Sequence, residues 1–137
     1  MANRYFEWSM FVLRIVLGII FLAHGLQKIS GFEGIVKFFG SLGLPVIMAY
    51  IVTTIETVGG AFLILGLFPR LAATGIGFVL LGAIMTVKLD KGLVGGYEFE
   101  LSLLSAAVAL ALSGSQFLSL GNYISSFQTS SARKKIS

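Results

Sequence analysis

Cysteine is missing from the 137 residues. Its absence removes disulfides, thiolate nucleophiles, iron–sulfur clusters and zinc sites built on sulfur. It also withholds any inference about redox compartment. Charge is scarce too: 12% of residues are Asp, Glu, Lys or Arg, about half the share of a soluble domain. Hydrophobic residues reach 56%, and mean hydropathy is +0.94. Such a chain cannot clothe itself in solvated side chains, so composition predicts an integral membrane protein. Histidine occurs once. One imidazole and scattered acids offer no ligand spacing, and no metal site is expected. The net charge of +4 comes with no aromatic-basic patch, and three of the ten cations fall in the last five residues. Nucleic acid is therefore not an expected partner.

Long apolar runs are what the chain has in abundance. Four are long enough for helical spans, at 8–27, 46–68, 71–87 and about 99–120. Their hydropathy is continuous rather than alternating, which excludes a β-barrel. Pro45 falls at the first turn of the second run, where a missing N–H does no harm. Only Pro69-Arg70 separates the second run from the third, which predicts a tight helical hairpin. Between the first two runs, Phe32, Ile35, Val36 and Phe39 recur at i, i+3, i+4, i+7, with Glu33 and Lys37 on the other face. That pattern predicts a short amphipathic helix over 32–42, lying in the membrane interface. The segment 88–97 closes on Gly95-Gly96-Tyr97 and reads as a shaped turn.

The expected fold class is thus all-α: an integral membrane four-helix bundle with a short interfacial amphipathic helix between spans one and two. Residues 1–121 form the membrane domain. Residues 122–137, Ser-rich and carrying Arg133-Lys134-Lys135, read as a disordered basic tail. The first run reads as a retained span rather than a cleaved leader, because cleavage would discard two unusual charges. Cations near span ends number five on the side of the termini and four on the other, so both termini are expected in the cytoplasm.

Those two charges, Arg14 and His24, lie inside the first run. A charge in hydrocarbon is costly unless met by a partner or water. At 100° per residue, Arg14, Gly18, Phe21 and Gly25 share a face, with Lys28 about 40° and His24 about 80° to one side. Glu56 is the one acid deep in another span. An Arg14–Glu56 or a His24–Glu56 contact is open, and Arg14 reads mainly as the inner anchor of a pair with Glu56. Glu98 and Glu100 diverge by about 200° on a helix, so only one can face inward. Polar groups gather in the outer half: His24, Gln27, Lys28, Glu56, Glu98 and Glu100. Each also has a structural reading. Arg14 and Glu56 can fix helix register, His24 can bond a carbonyl, Lys28 can snorkel, and the entrance acids can be solvated.

The words Leu13-Arg14, Leu17-Gly18, Phe21-Leu22-Ala23-His24-Gly25-Leu26-Gln27-Lys28, then Glu56 with Gly59-Gly60, then Leu65-Gly66-Leu67-Phe68-Pro69-Arg70-Leu71-Ala72-Ala73, then Gly95-Gly96-Tyr97-Glu98-Phe99 occur in that order. In this combination the chain resembles the DoxX family of small four-span bacterial membrane proteins, over about 11–121. The resemblance implies a quinone-linked oxidoreductase subunit. Similar proteins include the small subunit of thiosulfate:quinone oxidoreductase and a membrane partner of superoxide dismutase and a sulfurtransferase. Wider relatives work on thiols, which the missing cysteine disfavours here. The family's polar positions fall on Arg14, His24, Gln27, Lys28, Glu56, Gly96, Tyr97 and Glu98.

The function expected is an inner-membrane redox subunit with quinone in an outer-half polar cavity. His24 and Glu56 are the candidate catalytic residues: His24 bonds a quinone carbonyl and relays the proton, and Glu56 orients His24. Arg14, Gln27, Lys28, Tyr97 and Glu98 are candidate binding residues, with Lys28 or Tyr97 serving the second carbonyl. Beyond the lipid bilayer, the expected partners are a quinone or other small hydrophobic ligand and a soluble oxidoreductase or second copy. The alternative is a non-catalytic membrane scaffold or small-molecule-binding protein that recruits soluble enzymes.

Overall fold

Residues 3–136 are described by the structure, a computed structural model; Met1, Ala2 and Ser137 lie outside them. Among the described residues six α-helices follow in order: α1 (Asn3–Ser30), α2 (Phe32–Ser41), α3 (Val46–Leu65), α4 (Pro69–Ala83), α5 (Glu98–Ser113) and α6 (Leu120–Ile136). No strand occurs among the described residues. Four stretches are long and apolar enough to cross a bilayer: Arg4–Ser30, Val46–Leu65, Pro69–Lys91 and Leu93–Ser113. The protein is a multi-pass membrane protein. The start of α1 and the end of α5 share one end of the bundle, where Trp8 meets Phe117, and α2 lies at the other.

Packing runs α1 on α3, α3 on α4, α4 on α5, with α5 closing back onto α1. Leu17, Phe21, Leu63, Ile76, Leu80 and Leu110 fill the shared core. Close approach of α1 and α3 depends on three glycines, Gly18, Gly25 and Gly60. A Cβ on Gly25 would collide with Thr57, and one on Gly60 with the backbone of Leu22. With little hydrophobic drive between helices in lipid, such close packing is what holds a pair together.

Turn chemistry sets the connections. The amphipathic segment is helical as its pattern predicts, ending at Ser41 before Gly43 at φ +75°. Its Phe32 ring sits 4.7 Å from that of Tyr50 on α3. Pro45 stands one residue ahead of α3 in an extended conformation. Gly66 at φ +73° ends α3, and Pro69 opens α4, so the hairpin turns over 66–68. Beyond α4 the helix widens into a π turn over Ile84–Lys88. Gly92 and Gly95, both at positive φ, then reverse the chain into α5.

Two expectations are corrected. The fourth span stops at Ser113 rather than near 120, because Gly114 at φ +70° breaks the helix and the chain folds inward instead. Residues 120–136 are helical rather than a disordered tail. Ser119 initiates that helix, its Oγ accepting the N–H of Asn122 at 3.1 Å, which satisfies one of the amides a helix start leaves unpaired.

Candidate functional site

The two intramembrane charges of α1 meet different partners at opposite ends of the bundle. Arg14 is fully buried. Its Nη1 donates to the carbonyls of Ser115 (3.0 Å) and Phe117 (2.9 Å), and its Nη2 to that of Leu118 (2.9 Å). The guanidinium also lies 5.1 Å from the Phe11 ring. Its expected pairing with Glu56 is therefore corrected. The chain after α5 supplies backbone acceptors, and a guanidinium fork suits several carbonyls converging from one turn.

Glu56, only 4% exposed, is paired with Lys28 instead: Nζ to Oε2 is 2.5 Å. The glycine-mediated contact of α1 and α3 puts Lys28 within reach of it. His24 lies one turn before Lys28, exposed on the same helix. Its Nδ1 is 2.7 Å from the Ile20 carbonyl. A carbonyl only accepts, so Nδ1 carries the proton, and in the neutral ring Nε2 is left as an acceptor. The expected orienting role of Glu56 thus falls to the Ile20 carbonyl.

A cavity of about 140 Å³ brings these groups together, lined by Phe21, His24, Lys28, Glu56, Phe99 and Glu100 among others. Of the two entrance acids, Glu100 is the one that faces it. Glu100 Oε1 lies 3.6 Å from Lys88 Nζ, while its buried Oε2 has no hydrogen-bond donor. Glu98 is exposed and accepts the N–H of Gly95 at 3.1 Å, tying down the glycine turn. The Tyr97 N–H donates to the Gly92 carbonyl at 3.0 Å in the same turn. Gln27 is exposed, its carbonyl accepting the N–H of Gly31 and the hydroxyl of Ser30. Tyr97, Glu98, Gln27 and Arg14 do not line this cavity.

A larger groove of about 380 Å³ runs beneath α2, walled by apolar side chains such as Ile35, Phe38, Met48, Ile55 and Phe78. It shares Lys28, Glu56, Val79 and Ala83 with the polar cavity, so the ion pair stands between the two. Sequence reasoning missed this groove and favoured Glu98 over Glu100. The signal for the second point was the Gly92–Gly96 reversal, which sets the phase in which α5 begins. Among the described residues, no three His, Asp or Glu side chains come together to hold a metal.

Known proteins bear on this arrangement. The DoxX family pattern matches residues 9–89, which include His24, Lys28 and Glu56 but not Glu100. The "Putative oxidoreductase CatD" of Bacillus subtilis (strain 168) is 44% identical over 122 residues, covering 89% of this chain and 91% of that protein. The "Inner membrane protein YphA" of Escherichia coli (strain K12) is 32% identical over 87 residues, 58% of this chain and 62% of that protein. No solved structure matches the chain. The four spans and these matches agree: the chain belongs to the DoxX family.

Proposed function

We propose that the polar cavity binds the ring of an isoprenoid quinone in its reduced, dihydroxy form, and that the chain is the membrane subunit of a quinone-linked oxidoreductase. The observation that carries this reading is a pair of unused acceptors on one cavity, His24 Nε2 and Glu100 Oε2. Two acceptors suit two hydroxyl donors better than two carbonyls. The cavity, at about 140 Å³, matches a single ring, since an apolar cavity of about 150 Å³ takes up benzene. The groove beneath α2 is apolar and shares the Lys28–Glu56 wall, so it suits a prenyl tail.

Bound quinone supplies two-electron, two-proton chemistry. The chain's own residues handle protons and position. His24 Nε2 accepts from one hydroxyl, its ring held by the Nδ1–H bond to Ile20. Glu100 Oε2 accepts from the other, and Lys88 lies beside its second oxygen. Phe21 and Phe99 offer apolar walls to a flat ring. Glu56 is committed to Lys28 and shapes the wall rather than taking a proton. The relative named as an oxidoreductase adds support.

The test is quinone binding to purified protein in nanodiscs, with the ligand poised reduced or oxidised. The reduced form should bind more tightly. His24→Phe and Glu100→Leu should each cost about 1–3 kcal/mol, roughly 5- to 150-fold in Kd. Equal affinity for the two redox forms, or unchanged binding in both variants, would overturn the reading.

A further inference from the structure

We infer that α6 lies flat on the membrane surface and docks on anionic phospholipid headgroups. Leu120, Tyr123, Ile124 and Phe127 are 44–70% exposed. At 100° per residue they form a stripe about 100° wide. The opposite face carries Asn122, Ser125, Ser126 and Thr129. An apolar stripe opposed by small polar residues is the pattern of a helix buried shallowly at the headgroup boundary. Its far end carries Arg133, Lys134 and Lys135. By the same angular count, Lys134 falls on the apolar side and Lys135 at its edge, where the Lys135 stem can run along the stripe and place its ammonium among phosphates.

The start of α6 is held at the level such a helix needs. Arg14 grips residues 115–118 just ahead of it. Gly121 is pressed so closely on the Gly66 carbonyl that a Cβ there would come within 2.9 Å of the oxygen. The Trp8 ring lies 5.0 Å from Phe117 and 5.8 Å from Phe11, and tryptophan marks the headgroup level of a span. Three residues after Phe117 the chain enters α6. The stripe thus begins beside the bilayer that the bundle already crosses. Three cations select the anionic leaflet over an acidic soluble partner, because lipid also covers the stripe.

The missing cysteine makes the test direct. Ser131→Cys sits on the apolar side and Thr129→Cys opposite it, and neither removes a stripe residue. Each full-length variant is labelled with a fluorophore and reconstituted into phosphatidylcholine vesicles with increasing phosphatidylglycerol, with nitroxide-bearing lipid as quencher. Quenching should be strong at position 131, weak at 129, and should rise with phosphatidylglycerol. Each cation near an anionic surface multiplies partition by roughly five. Adding Arg133→Gln, Lys134→Gln and Lys135→Gln together should therefore weaken docking by roughly a hundredfold. Equal quenching at both positions, or quenching indifferent to headgroup charge, overturns the inference. So does protection of position 131 that appears only when soluble protein is added.

Discussion

Replacing Arg14 with Met tests the first-span charge most sharply. The guanidinium makes three short bonds to the carbonyls of residues 115–118 and is wholly buried. Three charge-assisted bonds at about 1.5–3 kcal/mol each contribute roughly 5–9 kcal/mol. Burying a cation with no carboxylate partner costs several kcal/mol. The difference leaves Arg14→Met destabilising by about 2–4 kcal/mol, the sum of these opposing terms. Arg14→Lys should lose roughly half as much, because one ammonium cannot reproduce the fork that serves three carbonyls. Thermal unfolding in mild detergent measures the loss, and hydrogen exchange at residues 114–119 locates it, since that turn should open first. In a double-mutant cycle, Arg14→Met and Glu56→Leu should add to within about 0.5 kcal/mol, because they share no partner. A coupling above that, or wild-type stability with an unchanged turn, would refute the reasoning.

Three further outcomes follow from the other end of the bundle. Lys28→Met should cost about 3–5 kcal/mol by stranding the buried Glu56 carboxylate, with much of it regained in the Lys28→Met, Glu56→Leu double variant; chemical denaturation of all four proteins checks this. Gly25→Val should splay α1 from α3, because its first carbon already collides with Thr57; a lower Tm by about 4 °C or more, at roughly 1–3 kcal/mol for overpacking, is the readout. Glu98→Gln should leave quinone affinity within about twofold while Glu100→Leu reduces it, since Glu98 bonds the Gly95 amide outside the cavity and a neutral acceptor keeps most of such a bond; a titration of both variants decides.

The spans and α2 were legible in the sequence because hydropathy and periodicity are carried by side chains. What was hidden was carried by the backbone. Arg14 looked for an acid, and Glu56 was the obvious candidate, yet its partners are main-chain carbonyls with no residue signature. The same turn hid the end of the fourth span: Phe117, Leu118 and Leu120 continue the apolar run although Gly114 has already ended the helix. The choice between Glu98 and Glu100 depended on where α5 begins after the Gly92 and Gly95 reversals, and hydropathy does not set that phase. The short α1–α3 distance, by contrast, rests on residues visible in the sequence, Gly18, Gly25 and Gly60.

The first span acts as a strut pinned at two heights. Arg14 and Lys28 are fourteen residues apart, about 21 Å along a helix. One is fixed to the turn after α5, the other to the middle of α3. A helix held at both points can neither slide nor rotate freely, so His24, one turn from Lys28, inherits a fixed direction toward Phe99 and Glu100. Residues of α5 thus meet a histidine that local sequence alone could not aim. The Arg14 end supplies the register, and the Lys28 end supplies the wall. On the function proposed above, the quinol falls to groups that neither pin consumes, His24 Nε2 and Glu100 Oε2.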